Sequence, residues 1–333
     1  MFGKGIAMDN SDMFLQLCKT AEVCKDPAEL ESLLTHIRDV NDFDEDGHTP
    51  LWHAVMYNEH PKVIETFVSA GSLVTWEMVS LAVIHNQNPK VALSLYRQMP
   101  LVSQEDLDRL FLLAAAANTT DQLVRFFLSE GASLDATMAM DLYLDPSEDL
   151  LEDTDEDAWE LDDQSVQQNA LVVAMYENPK PVGMVRTLLE LGVNPNAIDA
   201  EGYPVLIHAL DDPALVNVLL EGNTDANGTD VHGMNALMHA CAADVNESAL
   251  MLIDHTKDVN AVSDTGETAL HYALGCHLGD NVTVVSALIS AGADVNIPDG
   301  DGLLPLEIAR FNYCSQQIID LLVTSGARMG DIS

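Results

Sequence analysis

The sequence predicts an all-α fold built from repeated helix pairs, and three observations carry that prediction. A short segment recurs as DGHTPLWHAV at 46–55, EGYPVLIHAL at 201–210, HGMNALMHAC at 232–241, TGETALHYAL at 265–274 and DGLLPLEIAR at 301–310. Each copy has a glycine, a leucine four residues later and an alanine three after that. The spacing is regular: Leu206, Leu237, Leu270 and Leu306 are 31, 33 and 36 residues apart, a period that belongs to stacked repeats. The copies lead into apolar stretches of helical period that run out at small-residue turns, FVSAGS to Ser72, VLLEGN to Asn223, LISAGADVN to Asn296 and LLVTSGA to Ala327.

In chain order, residues 1–40 read as N-terminal capping helices, with Met13, Phe14 and Leu17 on one amphipathic run and Leu30, Leu33, Leu34 and Ile37 on the next. Residues 41–135 hold degenerate repeats. There AVMYNEHPKV at 54–63 aligns with AVIHNQNPKV at 82–91, and outside that segment AMYENPKPV at 174–182 repeats the theme. Pro61, Pro89 and Pro179 each precede a second apolar run, where a missing N–H is harmless at a helix start. A further unit, LLAAAANTTDQLVRFFLSEGASLDA, has Ala114 at its close-packing position and Gly131 after its second helix. Residues 136–165 break the pattern, and residues 166–330 resume it and end in a C-terminal cap, giving about nine units in all.

Small alanines let paired helices approach closely, while leucines and valines of successive units stack into a core that no single repeat could bury. Glycines end helices where a left-handed residue is required. Asn41, Asn196, Asn260 and Asn296 lie in the turns and are expected to tie the loops by side-chain hydrogen bonds.

Thr49, Pro50, Leu51 and Ala54 in one copy, Thr268, Ala269, Leu270, His271 and Ala273 in another, and Gly292, Ala293, Asp294, Val295 and Asn296 at a turn resemble the ankyrin repeat family, whose pattern runs DGxTPLHxAAxxGxxxVVxxLLxxGADVN. Four successive copies from about 199 to 330 carry the resemblance, and the N-terminal half carries it in degenerate form. It implies a non-catalytic solenoid that binds proteins through its turn tips and first helices. On that geometry the contacts fall at His48 and Trp52, Tyr203 and Ile207, Met234 and Met238, Glu267 and His271, and Leu303 and Glu307. Trp52, Met238 and Glu307 depart from the family's residues, which marks either contact or altered packing.

The chain carries 54 Asp and Glu against 14 Lys and Arg, a formal charge of -40. That balance argues against direct nucleic-acid binding, which depends on cations facing phosphates. Between Asp141 and Asp163 the insert holds twelve acidic residues and no Lys or Arg. Leu142, Tyr143, Leu144, Leu150, Leu151, Trp159 and Leu161 interrupt the acids. Carboxylates such as Asp153, Asp155 and Asp157 can steer a basic partner while Tyr143 and Trp159 anchor in its apolar pockets. Docking onto the chain's own groove and a plain solvated loop are the alternatives.

Chemical sites are sparse. The five cysteines, Cys18, Cys24, Cys241, Cys276 and Cys314, lack Cys-x-x-Cys spacing and read as reduced, buried thiols, although the i, i+6 spacing sets Cys18 and Cys24 on different parts of a surface. Asp153, Asp155 and Asp157 resemble the start of a calcium loop, but Ala158 and Gln164 stand where glycine and glutamate are needed. Asp42, Asp44, Asp46 and Gly47 come closer, yet His53 occupies the twelfth position. The eleven histidines offer no HExxH, so no metal or cofactor is assigned. No nucleophile elbow, phosphate loop or dinucleotide fingerprint occurs, and the chain reads as a non-enzyme.

No window approaches a membrane span and the first residues lack a signal-peptide core, so a cytoplasmic protein is expected, in its source cell or in a host cell. The expected partner is a protein with a basic contact surface, engaged by an inhibitor or effector. Two alternatives stand beside this: an acidic mimic that blocks a DNA- or RNA-binding enzyme, and an intracellular structural adaptor.

Overall fold

The computed structural model describes residues 10–118, 120–139, 167–275 and 281–330. They fall into two compact units, one holding the described residues up to 139 with 177–179, the other holding 167–176 and those from 180 onward. The predicted capping and degenerate segments therefore share one unit.

The first unit contains α1 (Asn10–Val23), α2 (Pro27–Leu34), α3 (Pro50–Tyr57), α4 (Pro61–Ser69), α5 (Trp76–His85), α6 (Pro89–Tyr96), α7 (Gln104–Ala117), α8 (Gln122–Glu130) and a short strand, β1 (Thr137–Ala139). The odd helices α1, α3, α5 and α7 pack on one another in sequence, and α2, α4, α6 and α8 do the same. The second unit begins with β2 (Gln167–Asn169), α9 (Ala170–Glu177) and α10 (Pro181–Glu190). A 3₁₀ helix at Val205–Ala209 and α11 (Pro213–Glu221) follow, then α12 (Ala236–Ala242), α13 (Asn246–Ile253), α14 (Ala269–Gly275), α15 (Val282–Ser290), α16 (Pro305–Phe311) and α17 (Gln316–Thr324). Here the 3₁₀ helix, α12, α14 and α16 stack in one row and α10, α11, α13, α15 and α17 in the other.

Local sequence sets the helix starts. Thr49 Oγ1 accepts the Trp52 N–H ahead of Pro50, and Asn235 Oδ1 accepts that of Met238. Ser103 and Asp106 form a reciprocal capping box on α7. At 205–209 the capping position is Pro204, which offers no side-chain acceptor, and the segment winds as a 3₁₀ helix where an α-helix was expected. Ala54, Ala82, Ala114, Ala174, Ala240 and Ala309 are fully buried where neighbouring helices meet.

Two further expectations are corrected. In the third copy Pro181, not Pro179, opens the helix. After α11 the left-handed residue is Asn223, at φ +64°, and not Gly222; asparagine tolerates that conformation. Beside the all-α, repeat-like arrangement of helices, two three-residue segments, Thr137–Ala139 and Gln167–Asn169, are extended.

Two series of asparagines tie each unit to its neighbour. Buried Asn58 donates to the Ala21 and Cys24 carbonyls at the end of α1, both at 2.8 Å. Asn86 donates to the Val55 and Asn58 carbonyls, Asn118 to that of Val83, and Asn178 to those of Ala115 and Asn118. A helix leaves its last carbonyls without internal partners, and these amides close them. In the loops Asn41, Asn260 and Asn296 each donate to the carbonyl of the next unit's glycine, Gly71, Gly292 and Gly326, and accept an amide two residues beyond it. Asn196 accepts from Asp225, and Asn227 does the same for Lys257.

Asn58→Ala strips two buried carbonyls of their partner and is expected to lower stability by about 2–4 kcal/mol, read from urea unfolding followed by circular dichroism. Gly266→Ala should cost at least about 1 kcal/mol, because Gly266 sits at φ +78° and an added Cβ would lie 2.8 Å from the Gly300 nitrogen. A shift below about 0.5 kcal/mol in either variant contradicts these assignments.

Candidate protein-binding surface

The turns that precede the first helices share one construction. Asp44, Asp199, Asp230 and Asp299 each accept, through Oδ1, the amides two and four residues on, at 2.8–3.0 Å. Their own N–H groups bond the carbonyl four residues on, and a glycine at the third position returns its N–H. Ser263 holds the same place in a fifth turn.

The second carboxylate oxygen reaches across to the helix. Asp44 Oδ2 lies 2.7 Å from His53 Nε2, Asp199 Oδ2 lies 2.7 Å from His208 Nε2, and Asp230 Oδ2 lies 2.8 Å from His239 Nε2. In the fifth turn the Tyr272 hydroxyl donates to Ser263 Oγ at 3.1 Å. Each pair spans nine residues, a spacing that matches no helical period because the turn folds back over the helix start. For Asp44 and Asp230, burial pushes the carboxyl up, but turn amides and the facing histidine outweigh it and hold both below the ordinary carboxylate range.

This arrangement revises the predicted contact positions. Met238, His271, Trp52 and Glu307 share one place in the repeat, and that place faces inward or is engaged locally. Met238 and His271 are each only 1% exposed, so Met238 is a packing residue and not a contact. His271 Nδ1 accepts from Thr268 and its Nε2 lies 3.0 Å from the Ile297 carbonyl in the next turn, which ties two units. Glu307 accepts the Leu304 and Gly330 amides. Half-buried Trp52 stacks on His48, ring centroids 3.6 Å apart. Tyr143, Asp153, Asp155, Asp157 and Trp159 lie outside the described residues.

The residue one place further on, His53, His208 or His239, is part-exposed, its side chain 14–22% open; the sequence reads His53 and His239 as turn hydrogen-bonding residues and not as contacts. In the second unit Tyr176, His208, Tyr203 and His239 form a chain of edge-to-face rings with centroids 5.9, 6.4 and 6.0 Å apart. Tyr176 is 57% exposed, and burial followed by the Asp211 and Asp199 charges raises its hydroxyl pKa. Exposed Glu201, Asp211 and Asp254 surround this stripe in sequence, and no Lys or Arg occurs from Thr187 to Thr256. An amphipathic aromatic row in a negative field suits recognition of cationic and apolar groups on a protein.

Catalytic use of the Asp–His pairs requires an accessible nucleophile on the imidazole. Cys18 lies beside His53, but burial first, then Asp44 and Glu22, push its thiol up to about 12. That is the reverse of nucleophile activation. Cys18 and Cys24 are both buried, so their helical spacing does not place them on a surface. Among the described residues no helix is long and apolar enough to cross a membrane.

Comparison with known proteins identifies the repeats. A family profile described as ankyrin repeats (3 copies) matches residues 205–299, and an ankyrin-repeat domain is present there. An ankyrin repeat protein of Acanthamoeba polyphaga mimivirus is 32% identical over 78 residues, 22% of this chain and 10% of that protein. A tyrosine-protein kinase of Hydra vulgaris is 38% identical over 71 residues, 21% of this chain and 9% of that protein. The matched segments thus span no more than a tenth of either relative. Ankyrin repeats are non-catalytic binding scaffolds, and residues 205–299 have that character.

Because the folded value of Asp230 is depressed, its stabilising contribution is present above the ordinary carboxylate value of 3.8 and is lost as pH falls through the lowered one. Thermal melts of wild type and Asp230→Asn should differ most near neutral pH, by about 1–3 kcal/mol for charged hydrogen bonds, and converge in acid. A gap that widens in acid contradicts the pairing.

Proposed function

We propose that the helix pairs are about nine units of one ankyrin-type repeat and that the chain is a cytoplasmic, non-catalytic solenoid that engages a basic surface on a partner protein, as an inhibitor or effector. The observation that carries this reading is the aromatic stripe Tyr176, His208, Tyr203 and His239, the last three of which lie inside a stretch of 70 residues, Thr187 to Thr256, that has no Lys or Arg. Carboxylates along that stretch attract a basic face over long range, and the rings supply the contact that survives desolvation. The acidic insert adds to the attraction, with Asp153, Asp155 and Asp157 steering and Tyr143 and Trp159 anchoring. Its run of acids also supports the second reading, competition with nucleic acid for an enzyme's groove.

The test is affinity capture from a lysate of the source organism at low and moderate salt with three chains: wild type, one with the acids of 148–163 replaced by Asn and Gln, and Glu201→Gln with Tyr203→Ala. The expected partner is basic, and its retention falls about tenfold or more as salt approaches 0.15 M, where screening sets in at about 8 Å. Glu201→Gln with Tyr203→Ala should lose it. Loss in the insert variant alone, with a nucleic-acid enzyme as the partner, moves the site to the insert and favours the mimic. Retention that is indifferent to salt contradicts a basic partner.

A further inference from the structure

The Asp–His pair of the first turn differs from its two counterparts in what α1 brings to it. Glu22 Oε1 lies 2.9 Å from His53 Nδ1, on the opposite edge of the ring from Asp44. One turn earlier on the same helix, Cys18 places its sulfur so that Sγ, an Asp44 carboxylate oxygen and a His53 ring nitrogen all lie within 4.8 Å of one another. The pairs at Asp199 and Asp230 have the same carboxylate–imidazole contact, but among the described residues only the first pair joins such a three-donor group. The contact alone is repeat architecture. The thiol and the second carboxylate are what the first copy adds.

We propose that Cys18, Asp44 and His53 bind a single Zn²⁺ ion, with Glu22 holding the imidazole from behind. Sulfur, imidazole nitrogen and one carboxylate oxygen form a donor set that Zn²⁺ accepts and that Ca²⁺ and Mg²⁺, which take oxygen ligands, do not. Tetrahedral bonds of about 2.0–2.3 Å set ligand atoms roughly 3.3–3.7 Å apart. The 2.7 Å contact between Asp44 and His53 therefore opens by about 0.6–1.0 Å, and the sulfur, within 4.8 Å of both, comes to the same spacing. Glu22 on Nδ1 has the place of the carboxylate that orients metal-bound histidines. Cys18 is 1% exposed, whereas the His53, Asp44 and Glu22 side chains are 14%, 11% and 34% exposed, so a cation reaches the donors from solvent while the sulfur stays shielded.

Binding breaks the Cys18 S–H bond and forms a sulfur–zinc bond, the proton leaving to solvent. Nε2 gives its lone pair to the metal, releasing any proton shared with Asp44, and Nδ1 keeps its own for Glu22. The ion then joins α1 to the turn and first helix of the next unit, a clip on the first described helix pair.

The full chain is dialysed against Zn²⁺ in excess Mg²⁺, which occupies the general acidic surface, and titrated in parallel with Co²⁺ as a spectroscopic stand-in. One Zn²⁺ per chain should be retained, and Co²⁺ should develop a thiolate-to-metal charge-transfer absorption. Cys18→Ser and His53→Gln should abolish both, Glu22→Gln should weaken binding about 10- to 100-fold, and His239→Gln, at a pair without the thiol, should leave the retained Zn²⁺ and the cobalt spectrum as in wild type. Circular dichroism in EDTA establishes that each variant is folded, with Cys18→Ala as the second choice at that position. Displacement of wild-type Zn²⁺ by Mg²⁺, a cobalt spectrum without the thiolate band, or full binding by folded Cys18→Ser or Cys18→Ala overturns the proposal.

Discussion

The last carbonyls of a helix as short as α3 or α5 have no partner inside their own helix, and in a stack of short helices they face the next pair instead of water. Asn58, Asn86, Asn118 and Asn178 resolve this by inserting an amide from one pair into the carbonyls that end the helix before it. A buried carbonyl without a donor costs about 1–3 kcal/mol, so displacing a neighbour destabilises the pair it caps. The alanine contacts and the alternating rows of helices follow from that closeness. So does the dependence of each unit on the one before it.

The same logic reaches the surface through the turns. An aspartate that holds two amides with one oxygen has its other oxygen left, and in three turns a histidine takes it. The imidazoles are thereby fixed on the outer side of the first helices, where the second unit sets them beside Tyr176 and Tyr203. A face built this way is rigid in advance, which reduces the entropy that an association there would cost. The scarcity of Lys and Arg leaves its negative field uncompensated.

Much of this was legible in the sequence. The glycine–leucine–alanine spacing located the first helices, and Asn41, Asn260 and Asn296 were recognisable as loop ties because each closes a DVN turn, with Asn196 at the same place in NPN. Asn227, in DAN, was not singled out, although it makes the same kind of tie. The aligned Asn58 and Asn86 showed in the repeated segments, but that their amides enter a neighbour's helix depends on backbone brought from about thirty residues away. Met238 was misplaced for a related reason: the family's histidine position is inward, as His271 shows, and only the stacked structure separates it from the part-exposed place one residue later. Cys18, Asp44 and His53 share no local motif because they lie on a helix, a turn and the next helix.

The central claim, that a partner is gripped on the turn tips and part-exposed first-helix positions of the second unit, is tested most directly by hydrogen–deuterium exchange of the full chain with and without its captured partner. The account predicts slowed exchange at 199–210 and 230–241, with α11, α13 and α15 unchanged. Protection confined to α11, α13 and α15, or the absence of protection in both turn segments, would contradict it.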